Sequence, residues 1–295
     1  MKLVVGYLAT PGGADALALG GRLARSLVAQ LEICLILPPA KLPALGGAPA
    51  SYEKLVAEST DAWIADALAE VPMGIIAHGH RNFADSFAEG LINEVVRLEA
   101  DLLVVGGSGG GIAGNRSLGS VVNELLYSAP VPVAVAPRGL RESRVDRIRG
   151  VTCAIGERAG ADLLLDYAVR LSAAADVPLR LVSLVALDPV FGMLRGDDDA
   201  AREHAVRHAL RTLDMAKAEL PKGFPVTSSV LQGASVEAAV AQLTWHDGDV
   251  IMVGSSRLSA PRRLFLGSTA AKMLRVLDVP MIVIPRDQLS DEDLP

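Results

Sequence analysis

Short runs of Val, Ile and Leu alternate along the chain with longer stretches in which apolar residues recur every three or four positions. In the first half the runs are KLVVGYL (2–8), EICLIL (32–37), MGIIAHG (73–79), DLLVVGG (101–107) and VPVAVAP (131–137). Helix-period stretches separate them at about 15–30, 51–70, 83–100 and 119–128. The second half repeats the scheme with VTCAIG (151–156), LRLVSLVAL (179–187), PVTSSVLQ (225–232), DVIMVGS (249–255) and VPMIVIP (279–285), and with helical patterns over 161–175 and 236–245. Strand runs with little polar alternation belong to parallel sheets covered by helices on both faces. The pattern therefore predicts an α/β chain of two tandem, doubly wound, five-stranded parallel-sheet domains. Right-handed crossovers predict strand order 3-2-1-4-5 in each, with a glycine-bearing loop after the fourth strand.

The halves also match residue by residue. A shift of 148 positions lays Asp101, Val105, Gly106, Leu118, Gly119, Ser120, Val131, Pro132, Val135, Pro137 and Arg138 on Asp249, Val253, Gly254, Leu266, Gly267, Ser268, Val279, Pro280, Val283, Pro285 and Arg286 without a gap. Internal duplication explains this economically. The divisions it suggests are a domain over 1–138, a polar linker over 139–146, a second domain over 147–288, and an acidic tail over 289–295. An apolar final strand in each half is an aggregation hazard when exposed, so VPVAVAP and VPMIVIP are expected to cover one another with pseudo-twofold symmetry.

Composition narrows the range of functions. With 51% hydrophobic residues among 295, both halves have material for a core. A net charge of −6 with no basic stripe argues against nucleic acid as a partner. No apolar run reaches the length of a membrane span, and the seven-residue run in MKLVVGYLA, interrupted by Gly6, reads as a strand rather than a signal peptide. Cys34 and Cys153 sit in strand-like runs without metal-type spacing, which suits buried reduced thiols and a cytoplasmic location.

The chemistry concentrates in VVGGSGGGIAGNRSLGS (104–120), between a strand and a helix. A P-loop needs a Lys here, and there is none. GGGIAG (109–114) fits GxGxxG, but a dinucleotide fingerprint belongs in the first strand-to-helix turn, with an acidic residue about 20 positions on, where this chain has PVAVAP. A phosphate cradle of another design remains. Gly106, Gly107 and Gly109 let the backbone approach a ligand, while Gly119 and Ser120 open the next helix with free amides and a hydroxyl.

Gly106, two residues, Gly109, nine residues, Gly119 and Ser120 resemble the G-2x-G-9x-G-[S/T] nucleotide loop of the universal stress protein family. Each half looks like one such domain, so nearly the whole chain resembles a tandem member with the adenine nucleotide alpha hydrolase-like fold. The resemblance implies a regulatory stress-response module that binds ATP or another adenine nucleotide, and pairing of domains through the last strand, within the chain or in a homodimer. It implies nucleotide contacts at Gly106, Gly107, Gly109, Gly119, Ser120 and Val121, with Leu8 and Leu37 on the nucleoside side.

Two departures qualify it. ATP-binding members carry an Asp at the end of the first strand, where this chain has Leu8 in GYLATP and Gly156 in AIGERA. The second loop, GSSRLSAPRRLFLGS, puts Arg257 where the second glycine belongs, so any nucleotide is expected in the first half. Arg257, Arg262 and Arg263 either obstruct that loop or offer a different anion contact. A nucleotide-free scaffold is the alternative function.

Other residues read blandly. His78 and His80 in AHGHRN are expected at the carboxyl end of the third strand, within reach of a ligand but without a third metal ligand. Asp197, Asp198 and Asp199 cap a helix. His204 and His208 lie on a solvated face, and Trp63 and Trp245, both in helical patterns, serve packing. No nucleophile–base pair or metal cluster marks the chain as an enzyme.

Overall fold

A computed structural model describes residues 1–39, 50–107, 119–156, 160–186, 198–255 and 266–285, with the side chains of 50–57 and 198–199 outside that description. Strands β1 (Lys2–Gly6), β2 (Gln30–Leu37), β3 (Ala77–Phe83), β4 (Leu102–Gly106) and β5 (Val133–Ala136) alternate with helices α1 (Pro11–Leu27), α2 (Ala50–Glu70), α3 (Phe87–Arg97) and α4 (Ser120–Ser128). The second half repeats this with β6 (Gly150–Ala154), α5 (Ala161–Ala175), β7 (Leu179–Ala186), α6 (Asp198–Ala218), β8 (Val226–Gly233), α7 (Val236–Val240), β9 (Asp249–Gly254), α8 (Ser268–Val276) and β10 (Met281–Ile284). The shift of 148 maps β1 on β6, α4 on α8 and β5 on β10 end to end.

Each half has the expected order 3-2-1-4-5, and all pairs within a half are parallel. Instead of two sheets, however, the halves share one ten-stranded sheet, β3-β2-β1-β4-β5-β10-β9-β6-β7-β8. The join is an antiparallel pair in which Val133, Ala134 and Val135 face Val283, Ile282 and Met281. Backbone groups that would be an exposed edge in either half alone are thereby paired. Side chains follow suit: Val133, Val135, Met281 and Val283 share one apolar cluster with Leu125, Leu126 and Met273 from α4 and α8. On the opposite face α1 and α5 pack over the sheet with Leu19, Leu23, Leu164 and Leu171 buried. The expected pairing of the two final strands is thus hydrogen-bonded and internal to the chain.

Several boundaries differ from the pattern for local reasons. α1 starts at Pro11 rather than near Asp15, because Thr10 is extended (φ −137°, ψ 161°) and its hydroxyl accepts from Gly13 N at 3.2 Å, with proline in the first turn. β3 begins at Ala77 rather than Met73. Pro72 and Gly74 (φ +87°) turn the chain there, so the GII residues lead into the strand. As an edge strand with a solvated face, β3 has no continuous apolar run to mark it. α7 stops at Val240, which leaves Trp245 in the irregular segment before β9, its ring 4.9 Å from the Arg180 guanidinium. Trp63 is on α2 as expected.

The polar segment after β5 is docked along α1. Gly139 (φ +84°) turns it into a 3-10 turn over Leu140–Glu142, and Leu140 enters the core. The Asp15 carboxylate, 1% exposed, accepts from the amides of Gly139 and Arg141 at 3.0 Å each and from Arg141 Nη1 at 3.0 Å. Arg22 Nε donates to the Val145 carbonyl at 3.0 Å, Arg25 pairs with Asp146, and Ser26 Oγ accepts from Ile148 N at 2.9 Å. Cys34 and Cys153 are free and buried, and burial pushes the Cys153 thiol up to about 12. Among the described residues no helix is long and apolar enough to cross a membrane.

Candidate functional site

The first half has a cleft of about 410 Å³ at the carboxyl ends of β1 and β4, the switch point where ligands bind in such sheets. Gly106, Gly107, Gly119, Ser120 and Val121 line it, and so does Leu8. Leu37 ends β2 outside this lining, and Gly109 lies outside the described residues. α4 starts from Gly119, which is extended (φ −63°, ψ 158°) and gives no side-chain cap, so the first-turn amides of the helix have no side-chain partner from the capping position. An anion there would meet those amides and the positive end of the helix. Arg138, just past β5, also lines the cleft and is the cation the sequence reading passed over. Its signal was the strand-end position beside the glycine loop.

The glycines have a second role. A Cβ on Gly106 would collide with the carbonyl oxygen of Gly12, and one on Gly13 with that of Leu8. The first turn of α1 therefore leans directly on the end of β4, and glycine at 106 is required by that contact whether or not a ligand is present. Asp15 also lines the cleft, but its carboxylate is committed to the connecting segment.

The second half has a smaller counterpart of about 180 Å³, lined by Gly156, Gly160, Gly254, Ser255, Gly267 and Thr269 among others. Here the glycine at the end of the fourth strand is open: the nearest atom to a Cβ on Gly254 is Leu164 Cδ2 at 3.7 Å. Ser255, at the position of Gly107, is 8% exposed and its hydroxyl has no hydrogen-bond partner among the described residues. Arg257, Arg262, Arg263 and Asp197 lie outside the described residues.

His78 and His80 are not at the carboxyl end of their strand. They are the second and fourth residues of β3 and face Glu32 of β2, which is 4% exposed: His80 Nε2 is 2.6 Å and His78 Nδ1 3.3 Å from its oxygens. Arg97 of α3 joins His80 at 3.2 Å and grips Glu94 through Nε at 2.9 Å and Nη2 at 2.6 Å, while Asn82 donates to the same carboxylate. These hydrogen bonds hold the Glu94 carboxyl below the usual carboxylate range, and burial beside Glu94 pushes the Cys34 thiol up. The group is a polar network in which the buried carboxylates of Glu32 and Glu94 are met by half-buried and exposed partners, and no cluster of three metal-ligating side chains occurs among the described residues. His204 and His208 are exposed on α6.

Two parallel α/β units joined edge to edge, each with a helix that starts from a glycine cap residue after its fourth strand, define a tandem, doubly wound α/β protein. The family assignment follows: the model of the universal stress protein family matches residues 1–137 and 148–285, and the chain belongs to that family. It is similar to a universal stress protein of Mycobacterium tuberculosis (strain H37Rv), with 29% identity over 294 residues, covering 97% of this chain and 100% of the relative. A universal stress protein of Synechocystis is 26% identical over 166 residues, covering 56% of this chain and 50% of the relative. In fold it is similar to the crystal structure of a universal stress protein from Archaeoglobus fulgidus, with a TM-score of 0.69 at 18% identity, covering 97% of this chain and 98% of that one.

Proposed function

We propose that this tandem universal stress protein is a cytoplasmic regulatory module that binds ATP or another adenine nucleotide in the first half. The observation that carries the reading is the meeting of an uncapped α4 N-terminus, Ser120 and Arg138 in one cleft. Phosphates lie against the backbone at Gly106, Gly109 and Gly119, with Ser120 and Val121 at the helix start and Arg138 supplying the charge, while the Gly107 amide is already donated to the Ala136 carbonyl at 2.8 Å. Leu8 offers the nucleoside no carboxylate, and losing one hydrogen bond of that kind weakens affinity by about 1–3 kcal/mol. A binding role is also consistent with Asp15, the carboxylate lining this cleft among the described residues, which is engaged with the connecting segment. Two buried thiols accord with a reducing compartment.

Calorimetry with ATP on the full chain tests this. Gly119→Asp places a charge and a side chain in the cradle and abolishes binding, while Gly267→Asp leaves it within about threefold. The reverse pattern moves the site to the second half. A nucleotide-free scaffold is the second reading, favoured by the Gly12 carbonyl seated over Gly106, and absence of binding by the unmodified protein decides for it.

A further inference from the structure

The repeat carries through the helices: residues 13–27 of α1 correspond to 161–175 of α5, and both helices end on left-handed caps, Val28 (φ 53°) and Asp176 (φ 54°). α1 and α5 touch above the sheet near the β5–β10 join. One flank of α1 is covered by the connecting segment, held by Asp15, Arg22 and Ser26, with Leu140 filling the space beneath. The same flank of α5, at the corresponding Leu163, Arg170 and Ala174, lines an open groove of about 650 Å³ between the two helices.

The exchanges between the two flanks say what the groove accepts. Leu163 in place of Asp15 and Ala174 in place of Ser26 remove the acceptors that hold the connector's backbone amides. A peptide laid there would leave N–H groups unsatisfied against carbon, at a cost that disfavours it. Donors remain. Arg170 stands where Arg22 grips the Val145 carbonyl, and its present partner is the exposed Asp166 at 2.7 Å, one turn away, a weak pair that is readily exchanged. Tyr167 replaces Leu19 and adds a hydroxyl without a hydrogen-bond partner among the described residues. Burial raises its pKa, with Asp101 adding to and Arg170 opposing the shift, so the hydroxyl stays a donor. Asp101 is engaged at 2.8 Å by Lys2 N.

We propose that the groove between α1 and α5 binds a medium-length aliphatic carboxylate, its chain against Leu23, Leu163 and Leu171 and its head on the Arg170 guanidinium and the Tyr167 hydroxyl. Apolar walls with the Tyr167 and Arg170 donors one turn apart on α5, and the Asp101 carboxylate of the lining held by Lys2 N, fit an occupant with an apolar chain and an acceptor head. The site is separate from the nucleotide cleft and does not depend on it.

The test is calorimetric titration of the full chain with decanoate, and with decyltrimethylammonium as the same chain bearing the opposite charge. Decanoate binds with one site per chain and decyltrimethylammonium at least tenfold more weakly. Arg170→Gln lowers decanoate affinity about tenfold, and Ala174→Trp, which fills the groove from an exposed helix position, abolishes binding with unchanged thermal unfolding. Equal binding of the two amphiphiles, or full binding by Ala174→Trp, overturns the proposal. So does binding that appears only after residues 286–295 are removed, which assigns the groove to the segment that follows Pro285.

Discussion

Asp15 and Arg141, 126 residues apart, meet where the first helix receives the segment joining the two halves: one carboxylate accepts from Gly139 N, Arg141 N and Arg141 Nη1. Asp15→Ala strips three donors of their acceptor at a 1%-exposed site. With a buried unsatisfied donor costing about 1–3 kcal/mol and Arg141 free to reach water, the expected loss is about 2–4 kcal/mol. Urea unfolding measures it as a lower midpoint at unchanged slope. A loss below 1 kcal/mol contradicts the anchoring role.

Gly106 and Gly254 occupy matching positions but differ in surroundings. Gly106→Ala drives its methyl into the Gly12 carbonyl and destabilises by about 1–3 kcal/mol as the first turn of α1 is displaced. Gly254→Ala meets nothing closer than 3.7 Å and stays within about 0.5 kcal/mol of the parent. Thermal unfolding of the two variants separates the cases, and equal effects refute the packing role of Gly106.

Glu94 predicts a pH effect. Hydrogen bonds from Arg97, assisted by charge from Arg97 and His80 and by Asn82, hold its folded pKa below the unfolded value of about 4.3, against the effect of burial. A depressed carboxyl contributes stability that is present above the unfolded pKa and is lost as pH falls through the folded one. The unfolding midpoint should therefore drop between pH 5 and pH 3, and Glu94→Gln should flatten part of that drop while being less stable at pH 7. Parallel pH profiles for the two proteins would exclude the contribution.

The join between halves makes unfolding cooperative. Trp63 reports on the first half and Trp245 on the second, so Trp63→Phe and Trp245→Phe give single-tryptophan reporters. Their denaturant midpoints coincide if the β5–β10 join and its shared core act as one unit. Val283→Asp buries a charge at a position with no exposure and should separate the midpoints. Distinct midpoints in the parent would mean the halves unfold independently.

Much of this protein is legible in local sequence, because parallel strands buried on both faces must be continuous runs of Val, Ile and Leu, and β1, β4, β5 and their counterparts are such runs. The duplication, the strand order and the α4 start at Ser120 follow from residues near one another in the chain. β3 does not. An edge strand with one wet face has no such run, and the apolar residues before it belong to a turn. Nor does the sequence reveal that Gly12 rests on Gly106, that Glu32 of β2 takes His78 and His80 of β3, or that Asp15 holds Gly139. Each partner lies tens of residues away, and only the packed sheet brings them together. The two final strands could be seen to need cover, since their apolarity is local. That they cover each other as one antiparallel pair, turning two sheets into one and leaving a groove beside α5 where the connector fills its twin beside α1, was decided by the single chain.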